Sequence, residues 1–76
     1  MKDLLRYLVE NIVDETEAIQ ISQSDENGTQ ILHLKVASAE TGKIIGKGGK
    51  VIKALRAALK VKAIPARKRL HLVLED

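Results

Sequence analysis

Cysteine, tryptophan and phenylalanine are all absent from this 76-residue chain, which has one proline, one methionine and one tyrosine. Without cysteine there is no disulfide framework and no thiolate metal site, which fits a reducing compartment. Tyr7 is the only aromatic residue, and its helical position reads as packing or surface. That argues against the aromatic stacking platforms of RRM-like or OB-like modules. No apolar run approaches a membrane span and the N-terminus lacks a signal-peptide pattern, so a soluble cytoplasmic protein without a membrane partner is expected. Two histidines, His33 and His71, do not make a metal site without further ligands. The acidic stretch Asp14, Glu15, Glu17 has no histidine or additional carboxylate at a useful spacing and reads as a solvated loop. No cofactor, metal or small-molecule substrate is expected, and the side chains that catalysis needs are missing.

What is present is a charge asymmetry. Residues 1–41 carry three basic and eight acidic side chains, a net of −5, and residues 42–76 carry ten and two, a net of +8. Such a division within one small domain points to a polyanion-facing surface, with a merely solubilising lysine face as the plainer alternative. The length suits one domain, residues 1–76, and no internal repeat or linker interrupts it.

The elements follow from periodicity. Leu4, Leu5, Leu8, Val9 and Ile12 form one helical stripe near the N-terminus. AIQISQS and QILHLKV alternate around an Asn-Gly dipeptide, the strongest short hairpin signal, because both residues tolerate positive φ. Leu32, Leu34 and Val36 are expected inward, with Ile31, His33 and Lys35 outward. Ser38 can cap a short helix to about Ile45. A longer helix restarts near Lys50 and should stop by Ala63, because Pro65 disfavours helical geometry at Ile64. RKRLHLVLE alternates again, with Leu70, Leu72 and Leu74 inward and His71 outward. A helical crossover lets the last two strands lie parallel and adjacent. The expected fold is α+β in the order α-β-β-α-α-β, a three-stranded mixed sheet covered on one face by three helices.

Between the two later helices, four glycines fall within eight positions: Gly42, Gly46, Gly48 and Gly49. At about 100° per residue, Val51, Ile52, Leu55, Ala58 and Leu59 share one arc of the following helix. Lys50, Lys53, Arg56 and Lys60 take the opposite arc. The helix starts directly after Gly46-Lys47-Gly48-Gly49, and its first-turn N–H groups and positive dipole end suit a phosphate. Glycine there lets a sugar-phosphate backbone come close with no Cβ in the way.

The run Ile44-Ile45-Gly46-Lys47-Gly48-Gly49-Lys50-Val51-Ile52 resembles the core motif of KH domains, an apolar pair, then G-x-x-G, then a basic and apolar helix. The element order is similar to the prokaryotic type II variant, and the whole chain looks most like the small bacterial stand-alone KH proteins of the KhpA group. The resemblance implies a single-stranded RNA clamped by the loop between two helices. Gly46, Lys47, Gly48 and Gly49 would form that loop. Ile44 and Ile45 would enter it, one packed and one lining the groove, while Lys50, Lys53 and Arg56 would flank the strand. Gly48 departs from the family, many members carrying a basic or polar residue there, so Lys47 is the one charged side chain on the loop. Ser38-Ala39-Glu40 departs too, where proline and aspartate are frequent.

The resemblance further implies self-association, pairing with a larger KH-containing protein, and a post-transcriptional or RNA-chaperone role linked to cell-shape and envelope control. The alternatives are an interaction module using the fold for dimerisation or ribosome-associated assembly, and a helix-hairpin-helix-like DNA binder. The latter would use a Pro-Gly turn that the chain lacks. A nucleotide-binding enzyme fits worse. Gly42-x-x-x-Gly46-Lys47 is not the P-loop spacing, no Ser or Thr follows the lysine, and no strand feeds the loop.

Overall fold

A computed structural model describes residues 1–66 and 69–75. Arg67 and Lys68, read above as the start of the last strand, and Asp76 lie outside the described residues. Helix α1, Lys2–Glu10, buries Leu5 and Val9 completely, with Leu4, Leu8 and Ile12 packed around them. It ends where the Asn11 side chain donates to the Tyr7 carbonyl at 2.7 Å. The Arg6 guanidinium reaches the Ile19 carbonyl at 3.2 Å and ties α1 to the residue before the first strand.

Strands β1, Gln20–Glu26, and β2, Thr29–Lys35, pair antiparallel from Gln20↔Lys35 to Glu26↔Thr29. Asn27 and Gly28 between them have φ of 51° and 81°, the pair of positive angles that a two-residue hairpin turn requires. Strand β3, Arg69–Glu75, lies parallel to β2 from Thr29↔Arg69 to Lys35↔Glu75, so β2 is central and β3 has a free edge. The connection between them contains α2, Thr41–Ile45, and α3, Lys50–Ala63.

The period of two sends Leu32, Leu34, Leu70 and Leu72 to one face, where they are buried with Val36. From the helices, Leu5, Val9, Ile44, Ile52, Leu55 and Leu59 close over them. Two layers result, three helices on one face of a mixed sheet, as the sequence predicts. His33 and His71 occupy the other face. His71 is exposed, while His33 Nε2 lies 3.1 Å from Ser24 Oγ and its Nδ1 lies 3.8 Å from a Glu75 oxygen.

Two local expectations need correction. Ser38 opens a single 3-10 turn, Ser38–Glu40, and Glu40 occupies the N-cap position of α2 without capping it. Its carboxylate is turned instead toward the chain leaving α1. Helix α3 does end at Ala63, but Ile64 keeps helical angles, φ −54° and ψ −49°, and the chain tightens into a 3-10 turn through Pro65. The proline forbids continuation of the α-helical bonding more than it displaces its neighbour.

Candidate nucleic-acid interface

The site begins at the end of a helix too short to stand alone. Helix α2 has five residues, and its pose depends on Ile44, which is wholly buried, while the adjacent Ile45 is 41% exposed. The Gly46 N–H closes the helix on the Gly42 carbonyl at 2.9 Å, and the Gly49 N–H returns to the Gly46 carbonyl at 3.1 Å. Those two bonds make a compact loop of four residues between α2 and α3.

Its glycines differ in what holds them. Gly46 has φ 75° and ψ 170°, a region essentially restricted to glycine. A Cβ there would sit 2.8 Å from the Val51 amide nitrogen and closer still to the Val51 side chain. Gly48 also has positive φ, 66°, yet a Cβ on it would meet nothing within 4 Å. Gly46 is therefore required by the protein itself, whereas the space above Gly48 is open.

The loop leads straight into α3 through Gly49, and no side chain caps the helix start. Lys47, Lys50 and Lys53 are exposed, and none forms an ion pair among the described residues. Arg56 is exposed too, but its guanidinium donates to the Leu72 carbonyl at the free edge of β3, at 3.3 Å. Core packing of Ile52, Leu55 and Leu59 sets the roll of α3, and the bond shows that Arg56 lies on the side toward β3. Lys53, Arg56 and Lys60, three and four residues apart, run along the flank beside β3. The flank continues into a recess of about 380 Å³ lined by Lys60, Ala63, Ile64, Arg69, Leu70 and His71.

Lys50, Lys53, Arg56 and Lys60 are all exposed, as the wheel drawn from the sequence expects, but Lys53, Arg56 and Lys60 lie on one flank and share the solvent side with an apolar row. An outward row along α3 and into its exit turn is apolar: Ala54, Ala57, Val61 and Ile64 are all exposed, Val61 at 65% and Ile64 at 69%. Ala58, assigned to the packed arc, is exposed as well. The core takes Ile52, Leu55, Leu59 and Ala63, with Val51 packed against it, so the expected stripe loses only Ala58.

Residues 2–74 match the family described as KhpA/KhpB, KH domain. The chain belongs to the KhpA/KhpB KH-domain family. Its α-β-β-α-α-β order and mixed sheet form the type II KH fold. Among relatives, the RNA-binding protein KhpA of Clostridium acetobutylicum is 39% identical over 69 residues, covering 91% of this chain and 92% of the relative. That of Treponema pallidum is 35% identical over 75 residues, covering 99% and 94%. That of Chlamydia caviae is 46% identical over 59 residues, covering 78% and 76%.

One buried charged residue has partners that the sequence does not reveal. Glu40 is the sole buried polar or charged residue among the described residues, 6% exposed. Its two carboxylate oxygens accept from the Asp14 and Glu15 amides, at 2.6 and 2.8 Å. Those amides, with Lys43 alongside, hold its pKa below the usual glutamate value against the opposing effect of burial. Lys43 spans Asp14 and Glu40 at 3.1 and 3.4 Å, and these partners raise its pKa. The acidic loop is therefore partly a set of donors, which residue types alone do not reveal. Among the described residues no group of three or more His, Cys, Asp or Glu side chains is placed to hold a metal, and no helix is long and apolar enough to cross a membrane.

Proposed function

We propose that this chain, residues 1–76, acts as one RNA-binding KH domain in the cytoplasm, clamping a short single strand of RNA without catalysis. The observation that carries the reading is the Gly46–Gly49 loop opening onto the uncapped start of α3, with exposed Lys47, Lys50 and Lys53, unpaired among the described residues, on the same approach. A phosphate over Gly48 would meet first-turn N–H groups, a positive helix end and lysine charge together. Ile44 supports the loop from the core, and Ile45 offers an aliphatic surface to a base. Gly46 and Gly49 shape the turn. Lys50, Lys53 and Arg56 would follow the strand between α3 and β3. The relatives named above are RNA-binding proteins, which supports RNA as the polyanion.

The decisive test is Lys47→Asp with Gly48→Asp. Two carboxylates would face phosphates at close range, so saturable binding to a short single-stranded RNA should disappear. Both residues are exposed and Gly48 has open space, so the fold should survive with a loss of about 1 kcal/mol. In the parent, neutralising two or three phosphates predicts a log-log salt slope of roughly −1.4 to −2.1. A double variant that binds with the parent affinity and slope would sink the reading.

A single module touches few nucleotides, so we also propose that it works in pairs, with a second copy or with a larger KH-containing protein, as an RNA chaperone or post-transcriptional regulator. For the second copy, the apolar row Ala54, Ala57, Val61 and Ile64 along α3 and its exit turn supplies a surface with Lys60 at its edge, clear of the lysines assigned to RNA. Exposed Asp3, Tyr7 and Glu10 on α1 offer the opposite charge around an aromatic contact. Helices α1 and α3 lie side by side, so a two-fold arrangement can satisfy both contacts at once. Sedimentation at high concentration should show dimer for the parent and monomer for Val61→Asp. A parent that stays monomeric removes the second copy and leaves the larger KH protein as the partner to assay.

A further inference from the structure

Glu40 stands among the first residues of a short lever whose other end is the loop. A carboxylate this close to a proposed RNA site works against binding by simple charge, so its presence needs another reason. Both of its oxygens are engaged by backbone amides from the far side of a 26-residue separation, and such charge-assisted bonds are about twice as strong as neutral ones. Lys43 closes the cluster by bridging Glu40 to Asp14. Helix α2 then has two attachments: Ile44 in the core and Glu40 on the loop that leaves α1. From Glu40 to Gly46 the chain advances roughly 9 Å along a helical axis. With so few residues, α2 cannot absorb a shift at one end by bending, and the shift passes to Gly46.

We propose that Glu40 is a positioning residue for the clamp: by tying the start of α2 to the Asp14–Glu15 backbone, it fixes the pose of the Gly46–Gly49 loop without touching RNA. The inference rests on the RNA-clamp reading for its functional consequence, but its structural half can be read in the free protein. A loosened anchor leaves the binding-competent loop populated for only a fraction of the time, and apparent affinity falls by that fraction.

The test is Glu40→Gln, read in two ways. In RNA-free protein, hydrogen exchange of the Gly46 and Gly49 amides should quicken while the β2–β3 ladder keeps its protection. Affinity for a short single-stranded RNA should fall about 3- to 10-fold. The salt slope should stay at the parent value, because no phosphate contact is lost. Charge alone predicts the opposite sign, tighter binding on removing an anion, and that result would overturn the proposal. So would uniform acceleration of exchange across the whole protein with unchanged affinity per folded molecule, the signature of a purely structural residue. If Glu40→Gln does not fold, Asp14→Asn serves instead. Asp14 is exposed and its loss loosens only the Lys43 bridge, so a smaller fall in affinity is expected, whereas charge alone again predicts a rise. The loop variant Lys47→Asp with Gly48→Asp separates the two readings. If it still binds RNA, the clamp reading fails, and the exchange measurement on Glu40→Gln decides the positioning role alone.

Discussion

The two ends of α2, six residues apart, are treated in opposite ways. At Glu40 every charged group in the cluster has a protein partner: two amides on the carboxylate, and a lysine shared with Asp14. At Gly46–Gly49 the helix start is uncapped and the nearby lysines are unpaired among the described residues. A polar group that the protein satisfies internally contributes to shape. One left for solvent is available to a ligand. The contrast also runs through the loop itself, since Gly46 is boxed in by Val51 and Gly48 is not.

The largest effect that breaks this comparison is expected at Gly46. Gly46→Ala must place a Cβ against Val51 in a backbone region that L-residues avoid. Strain of about 1–3 kcal/mol from the angles alone, plus the clash, should bring the loss to roughly 3 kcal/mol or more. A domain of this size has on the order of 4–11 kcal/mol in total, so the denaturation midpoint should fall steeply and part of the population should unfold near 37 °C. Gly48→Ala has the same sign of φ but no clash, and should cost about 1 kcal/mol. Urea melts of the two variants side by side measure the difference. Equal losses would show that both glycines serve the turn alone and that the space above Gly48 has no separate meaning.

How much of this was legible in the sequence depends on the range of the interaction. The alternation of Leu32, Leu34, Leu70 and Leu72 sorts the sheet into faces without any knowledge of partners, and Asn27-Gly28 encodes its own turn. The element order followed. Glu40 was not legible, because its partners are main-chain amides 25 and 26 residues away and amides have no residue type. Ser38 was the better cap by local chemistry, but a tertiary contact decided where α2 begins. The α3 wheel held for its packed and basic positions but misplaced Ala58, for a related reason. Spacing separates apolar from basic positions, but it cannot say that alanines pointing away from the core are uncovered, or that Arg56 bends to a strand carbonyl. The candidate loop was read from Gly46 to Gly49 directly, since glycine clusters declare themselves. Which glycine is sterically required needed the position of Val51.

The smallest expected effect sharpens the comparison at the Glu40 end, and it is a dependence on pH. The Asp14 and Glu15 amides, then Lys43, lower the Glu40 pKa in the folded protein. The unfolded chain therefore takes up a proton at a higher pH than the folded one does. Wherever the unfolded state binds more protons, stability falls as pH falls. The contribution of Glu40 is accordingly complete above the ordinary glutamate range, about pH 4.3. It is lost as the pH drops through that range to the lowered folded value. Lys43 has the opposite sign: its pKa is raised, so its contribution holds below the ordinary lysine range and is lost on the alkaline side. Urea midpoints taken from neutral pH to about pH 3 should decline more steeply in the parent than in Glu40→Gln, which has no proton to gain at that position. Lys43→Met should flatten the alkaline limb and leave the low-pH end of the acid limb nearly unchanged, because the amides and not the lysine dominate the shift. RNA affinity should weaken over the same acid window in the parent, where protonation frees the start of α2. In Glu40→Gln it should change less, since that anchor is already gone. Coincident acid limbs for parent and Glu40→Gln would mean that the amide bonds persist with a neutral acceptor. The two ends of α2 would then differ in geometry but not in charge.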